Sequence, residues 1–117
     1  MEYELHVQRA ENAYKAFLIL KKEGLIQDAI SSRHHAIIHL CYAILLKNGI
    51  EIPKTHSGLI ARIWKMREQL GVHERVIGLI SRLQSLREGG DYGVIVSVEE
   101  KDLEIVEEVY RALRGLV

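Results

Sequence analysis

The chain has 117 residues, a length typical of one domain, so we expect a single domain over residues 1–117. Apolar residues make up 48% of the chain, enough to fill one hydrophobic core. Aromatic residues make up only 6% and there is one proline, while Leu, Ile, Ala, Glu, Lys and Arg dominate, which favours helix and argues against disorder. The formal net charge is zero, which argues against a protein that binds nucleic acid indiscriminately.

The charges are unevenly distributed along the chain. Residues 54–87 hold seven basic and two acidic side chains, whereas residues 88–117 hold three basic and eight acidic ones. The middle of the chain therefore carries a formal charge of +5 and its end −5. Two interpretations are open: a basic surface for RNA that an acidic helix screens, or neighbouring helices that neutralise each other.

The sequence predicts a reducing compartment and no membrane segment. Cys41 is the only cysteine, so no internal disulfide can form. The amino-terminal stretch MEYELHVQRAENAYKAF carries charges throughout and has no apolar signal core. The longest run without Asp, Glu, Lys or Arg is residues 34–46, shorter than the about 20 residues that a membrane helix needs. We therefore expect a cytoplasmic protein.

Two long helices are predicted in the first half of the chain. The first has one apolar face at three- and four-residue intervals and ends before Gly24: Tyr3, Val7, Ala10, Tyr14 and Phe17. The second runs from about Gln27 to Asn48 and is stopped by Gly49. Between residues 36 and 46 it is apolar on nearly all sides except at His39 and Tyr42. We expect this helix to be the central buried one, or to be buried between two subunits.

Three further helices are predicted in the second half. Thr55 is placed to cap the third, Gly71 separates it from the fourth, and residues 97–100 have the spacing of a capping box for the last. Their apolar faces are Leu59, Ile63, Met66 and Leu70; Val76, Leu79, Ile80, Leu83 and Leu86; and Leu103, Val106, Tyr110 and Leu113. Short loops between antiparallel helices predict an all-α, up-and-down bundle of about five helices, four long core helices and one additional.

Small residues form a line on the fourth helix, where Gly78, Ser81 and Ser85 recur at three- and four-residue spacing. A glycine inside a helix costs about 1 kcal/mol relative to alanine. Such a loss is usually offset by close packing, so we expect this line to pack against a neighbouring helix.

The sequence contains no self-sufficient catalytic or cofactor motif. His35 and His39 share a helical face, but no carboxylate or cysteine at matching spacing completes a metal site, so partly buried, hydrogen-bonded histidines are the favoured interpretation. Cys41 and the serines lack a recognisable nucleophile setting. The stretch REGGDYG lacks the Lys-Ser/Thr of a phosphate-binding loop. We therefore expect no metal and no cofactor.

Three segments, in this order and spacing, carry a resemblance to a known family. They are Arg33-His34-His35-Ala36 at the start of the second helix, KTHSGL at the entrance to the third, and Arg87 with Asp91-Tyr92 after the fourth. On these segments the chain resembles the HEPN family of small helical bundles over most of residues 10–117. The resemblance implies a homodimer. It also implies a partner, because many members are RNA-cleaving toxins paired with a minimal nucleotidyltransferase antitoxin.

The signature of that family is an Arg, four to six intervening residues and a His, which both subunits contribute to one cleft. The Arg binds phosphate, and the His assists proton transfer at the ribose 2′-hydroxyl or the leaving oxygen. Arg87 matches, but the window for the His holds Tyr92, Gly93 and Val94. The unperturbed pKa of Tyr is about 10, so the motif is degenerate here. Two other pairs fit the bare spacing away from the family's position: Arg33…His39 and Arg67…His73.

The stretch REGGDYG has a structural interpretation. In it, Arg87 closes the fourth helix, Gly89 and Gly90 allow a turn, Asp91 caps that turn and Tyr92 packs. This interpretation assigns the stretch no ligand.

The functional interpretation of the same stretch is a polar cluster. Arg87, Asp91 and Tyr92 would lie beside Arg33 and His34 of the second helix, in a cleft between subunits that binds a nucleotide or an RNA phosphate. In related toxins, a Tyr that follows the signature His accepts adenylyl groups from the partner. Tyr92 is the nearest equivalent in this chain.

The leading hypothesis is a homodimeric HEPN-type protein in a toxin–antitoxin-like pair with a nucleotidyltransferase. One alternative is an active RNA endonuclease in which Arg87 works with His34 or His35. A second is a nucleic-acid-binding regulator in which the third helix, Gly71 and the fourth helix imitate a helix-turn-helix. The apolar character of the fourth helix disfavours a protruding recognition helix.

Overall fold

The computed structural model describes the backbone of residues 2–91 and 100–117, and the side chains of residues 2–84 and 103–117. These residues form six helices and no strand, so the predicted all-α class is confirmed. The helices are α1 (Glu2–Lys22), α2 (Ile26–Lys47), α3 (His56–Lys65), α4 (Arg67–Leu70), α5 (Glu74–Asp91) and α6 (Glu100–Arg114).

Helix α2 is the centre of the fold, as predicted. It contacts α1, α3, α5 and α6, and its pairing with α1 is the most extensive helix contact among the described residues. Its apolar side chains are buried on several sides, and only His39 and Tyr42 interrupt the buried run between residues 36 and 45. Gly24 ends α1 with a φ of 76°, in the left-handed region that glycine adopts without strain.

The third predicted helix is split in two. Thr55 caps α3 as predicted, because its hydroxyl oxygen accepts a hydrogen bond from the backbone N–H of Gly58 at 3.0 Å. At Met66 the backbone leaves the helix, with φ −105° and ψ 14°. The Arg67 side chain donates to the carbonyl oxygen of Trp64 at 2.8 Å and so satisfies an acceptor at the end of α3. This break explains why the described residues form six helices where the sequence predicted about five.

Helix α5 is longer than the structural interpretation of REGGDYG predicted. The helix runs through Gly89 and Gly90 and ends at Asp91, so the predicted turn at the two glycines is wrong. Each glycine costs only about 1 kcal/mol relative to alanine, which does not stop a helix that packs against α2, α3 and α6. Tyr92 and the Ser97 that opens the predicted capping box lie outside the described residues.

Within the described part of this chain, the small-residue line does not pack closely against another helix. Gly78 and Ser81 are exposed, and a Cβ at Gly78 would meet no atom within 4 Å. The two residues instead line an open groove between α3 and α5. The side chain of Ser85 lies outside the described set.

The helix-turn-helix alternative requires α5 to project from the body of the protein. Four apolar side chains of α5 are buried against its neighbours: Val76, Ile77, Ile80 and Leu83. This packing disfavours α5 as a recognition helix. None of the helices, over the residues described, has the length and apolar character that crossing a bilayer requires.

Candidate functional site at the α2–α5 junction

Arg33 and His34 lie at the junction of α2 and α5, where their side chains are 1% and 6% exposed. They border a cavity of about 10 Å³, the room of roughly one water molecule. The lining is otherwise mostly apolar: Ile37, Ile38, Ile80, Leu83 and Gln84. The structure therefore encloses Arg33 and His34 at this junction.

The burial of Arg33 limits what it does. A guanidinium stays charged at any physiological pH, so burying it requires compensating interactions, and Arg33 is not without a partner. With 1% of its surface exposed, it is not placed to contact a phosphate arriving from solvent. Its position instead suits a residue that fixes α2 against α5.

Helix α5 carries two other predicted site residues. Positions 76, 80, 83, 87 and 91 recur at three- and four-residue intervals, and the first three are buried core positions. Arg87 and Asp91 therefore occupy backbone positions one and two turns beyond Leu83 on the same face of α5. Their side chains, and the whole of Tyr92, lie outside the described residues.

His34 is paired with a histidine from another helix. Its Nε2 lies 3.2 Å from Nδ1 of His56, the first residue of α3, and the two ring centroids are 4.9 Å apart. Thr55 positions His56 by capping α3. The KTHSGL segment thus delivers a side chain to the site, a contact that sequence reasoning missed.

Five of the six histidines form one continuous row across α1, α2 and α3. The centroids of successive rings are 5.2, 6.4, 6.4 and 4.9 Å apart in the order His6, His39, His35, His34, His56. His35 is exposed in the middle of the row. It links the partly buried His6–His39 pair to the pair formed by the buried His34 and the partly buried His56.

His6 and His39 are joined directly, with 2.9 Å between their Nδ1 atoms. Burial, followed by the positive charges of His6, His35 and Arg9, lowers the pKa of His39 from 6.5 to about 4. Burial and then Arg9 also lower the pKa of His6, while Glu2 acts in the opposite direction. One nitrogen must donate and the other accept, so the pair tolerates at most one proton on its two Nδ1 atoms.

The hydrogen bond to His6 shows what His39 does on the helical face that it shares with His35: it links α2 to α1. His39 is partly buried and hydrogen-bonded, as the favoured interpretation expected, but its partner is His6 rather than His35. No group of three or more His, Cys, Asp or Glu side chains within the described ranges is arranged to hold a metal ion. Burial raises the pKa of the Cys41 thiol to about 12, so it is a core side chain rather than a nucleophile.

His6 and His56 were both missed because each comes from a helix distant in sequence from its partner. A weak signal was available for His6, which lies four residues before the buried Ala10 and so shares its face of α1. For His56 the signal was its place directly after a cap residue. Neither of these local signals predicts which histidine of α2 the side chain of His6 or His56 would contact.

The described residues form a small all-helical domain. Arg33 and His34 of its central helix lie where that helix meets α5. The sequence model of the HEPN domain matches residues 3–117, and the chain belongs to the HEPN domain family. The resemblance noted from the Arg33, KTHSGL and Arg87 segments is thereby confirmed.

Two relatives carry the name UPF0332 protein. The one from Archaeoglobus fulgidus is 39% identical over 107 residues, which cover 89% of this chain and 82% of that protein. The one from Thermotoga maritima is 32% identical over 89 residues, which cover 75% of this chain and 66% of that protein. The similarity therefore extends over most of the described helices.

Proposed function

We propose that this HEPN chain acts as a homodimer in a toxin–antitoxin-like pair with a nucleotidyltransferase partner. In this proposal, the end of α5 from each subunit of the up-and-down bundle lines a shared cleft that binds a nucleotide or an RNA phosphate. The observation that carries it is the buried Arg33–His34 pair, which lies where α2 meets α5, close in the helix to the positions of Arg87 and Asp91.

The six candidate residues divide into two roles. Arg33 and His34 are enclosed, so they act as positioning residues behind the cleft. Arg87, Asp91 and Tyr92 are the groups that would meet the ligand, and the exposed His35 would join them from α2. An Arg in such a cleft offers a fork of donors that matches the oxygens of a phosphate.

The degenerate signature makes this chain a binding protein with at most weak ribonuclease activity. A general base works best when its pKa is near the working pH, and the unperturbed pKa of a Tyr at position 92 is about 10. Binding of phosphate by Arg87 does not need that proton transfer. Tyr92 is also the proposed acceptor for adenylyl groups from the partner.

The second candidate function is an active RNA endonuclease, and the exposure of His35 is what favours it. Unlike His34, His35 is accessible to a substrate without opening the fold. RNA incubated with purified protein decides between the two. Cleavage that is lost in both Arg87→Ala and His35→Ala would establish the endonuclease, and intact RNA in every sample would eliminate it.

The proposed pairing and cleft are tested separately. A solution mass of twice 13.4 kDa is expected, together with co-purification of a nucleotidyltransferase expressed from the adjacent gene. Fluorescent nucleotide binding should weaken in Arg87→Ala but not in Arg111→Ala, which removes the same charge from an exposed site on α6. A monomer with no such partner, or equal binding by both variants, contradicts the proposal.

A further inference from the structure

The open groove between α3 and α5 lies apart from the α2–α5 site. Its volume is about 360 Å³, near the lower end of the roughly 300–1,000 Å³ typical of small-molecule pockets. Its lining is mainly apolar: Ile60, Ala61, Trp64, Glu74, Ile77, Gly78 and Ser81. No described side chain of the chain fills it, since a Cβ at Gly78 would meet nothing within 4 Å.

Trp64 gives this groove an aromatic wall. Its indole is 45% exposed, which is unusual for so large an apolar side chain. The guanidinium carbon of Arg67 lies 4.2 Å from the ring centroid, within the range of a cation–π contact. Arg67 is itself fixed by Glu74 at 3.2 Å, so the stacked pair is held in place at one end of the groove.

Two exposed basic residues are next in sequence to side chains that line the groove. Lys65 follows Trp64 at the end of α3, and Arg82 follows Ser81 on α5; both are exposed. Among the described residues neither has an ion-pair partner, although Arg75 on the same helix is paired with Glu108 at 2.8 Å. Within the part of the chain that the structure describes, neutralisation between helices therefore operates at Arg75 but not at Lys65 or Arg82. It is one of the two interpretations of the charge distribution.

From these features we propose that the α3–α5 groove binds an unpaired base of single-stranded RNA, with Lys65 and Arg82 contacting the flanking phosphates. Proteins that bind single strands combine stacking on an aromatic side chain with a cationic path for the backbone. Trp64 supplies the aromatic wall, and the exposed Lys65 and Arg82, each next in sequence to a lining residue, would supply the cations. An apolar peptide would leave these two cations without partners. The proposal rests on the RNA-binding part of the proposed function and adds a second contact region with its own lining residues.

Trp64 is the only tryptophan, so its fluorescence reports on this groove alone. Titration with a short oligouridylate should quench the emission, and the affinity should fall as salt is raised. With labelled RNA, Trp64→Ala should weaken binding about 5-fold to 150-fold, the equivalent of the roughly 1–3 kcal/mol that stacking on one base contributes. Lys65→Gln and Arg82→Gln should each weaken binding, and Arg111→Gln should not.

Gly78→Leu is the variant that tests the groove without relying on Trp64. Its side chain would project into open space, so the fold should survive while the groove is blocked. Gly78→Ala is the matched control, which adds a methyl group and should leave the groove largely open. Circular dichroism checks that every variant is folded.

The outcomes separate this proposal from the cleft at the end of α5. RNA binding that depends on Arg87 but is unchanged in Gly78→Leu would overturn the groove and leave the cleft standing. RNA binding that is lost in Gly78→Leu but unchanged in Arg87→Ala would support the groove and contradict the cleft. Trp64 emission that shifts with protein concentration alone would identify a second copy of the chain as the occupant, and would overturn the proposal. Absence of RNA binding would overturn it too, while co-purification still tests the partner.

Discussion

Nδ1 of His6 on α1 lies 2.9 Å from Nδ1 of His39 on α2, so a single hydrogen bond between two titratable rings joins the two helices of the most extensive pair in the fold. Because one ring must accept, the bond persists only while that nitrogen is unprotonated. Burial of the His39 ring is the main reason why its pKa falls to about 4, and the charges of His6, His35 and Arg9 lower it further. The link between α1 and α2 is therefore sensitive to pH.

We predict that His39 contributes stability above pH 6.5 that is lost as the pH falls toward about 4. The unfolded chain binds the proton at the ordinary pKa and the folded chain binds it only at lower pH, so acid favours unfolding. After discounting for the solvent-screened, partly exposed ring, the effect should be roughly 1 kcal/mol. Thermal unfolding across this pH window measures it. The drop in Tm should be smaller in His39→Gln, and equal slopes for the two proteins would contradict the assignment.

Two helical glycines should respond to alanine in opposite ways. At Gly58 a Cβ would lie 2.9 Å from the Thr55 hydroxyl oxygen that caps α3, so Gly58→Ala should disturb the cap and cost roughly 1 kcal/mol. At Gly78 a Cβ would meet nothing within 4 Å, so Gly78→Ala should stabilise by up to about 1 kcal/mol. Urea denaturation of the two variants measures whether the free energy of unfolding falls in Gly58→Ala and rises in Gly78→Ala.

The cause of the Gly58 effect is tested by combining it with Thr55→Ala. Without the hydroxyl, most of the clash disappears, so Gly58→Ala should be less harmful in that background than in the native one. A cost that is the same in both backgrounds would show that the capping hydroxyl is not what the new methyl group strikes.

The sequence predicted the helices well because their information is local. The apolar spacing of α2 and the cap at Thr55 were read correctly, since each depends on residues within a few positions of one another. The break at Met66 was missed because it involves a hydrogen bond from the Arg67 side chain to the Trp64 carbonyl oxygen, which no periodicity records. A turn was predicted at Gly89 and Gly90 because glycine has a low helix propensity, but packing of α5 on its neighbours contributes more than that propensity costs.

The candidate site was only partly accessible to sequence reasoning. Family segments identified Arg33 and His34 as important, but a linear pattern cannot tell an exposed guanidinium from one that is 1% exposed. Nor could it pair His34 with His56, because these residues are 22 positions apart and their contact depends on how α3 packs on α2. The groove beside Trp64 was missed for the same reason: it exists only where two helices diverge.

Replacing Arg33 should reveal its positioning role through stability. Arg33→Ala removes a buried aliphatic stem and guanidinium between α2 and α5. We expect the free energy of unfolding to fall by about 2–4 kcal/mol, because the substitution leaves a cavity and leaves the partners of the guanidinium unpaired. His35→Ala is the neighbouring control and should stay within about 0.5 kcal/mol because its side chain is exposed. Chemical denaturation compares the two. Equal and small losses would mean that Arg33 does not hold α5.

The degenerate signature can be tested by restoring it. Tyr92→His would place a histidine five positions after Arg87, the spacing that resembles the ribonuclease signature of the family. Its ring would titrate near neutral pH, where a Tyr does not, so the variant should acquire RNA cleavage that the native protein lacks or shows only weakly.

Two controls make the Tyr92→His result interpretable. Tyr92→Phe removes the hydroxyl without adding a base and should not cleave RNA. Adding Arg87→Ala to Tyr92→His should abolish the new activity, because the phosphate would lose its guanidinium partner. Gel analysis of a labelled RNA measures all four proteins. If Tyr92→His folds, dimerises and leaves the RNA intact, then the missing histidine is not what separates this chain from a nuclease, and the cleft at the end of α5 lacks the geometry for cleavage.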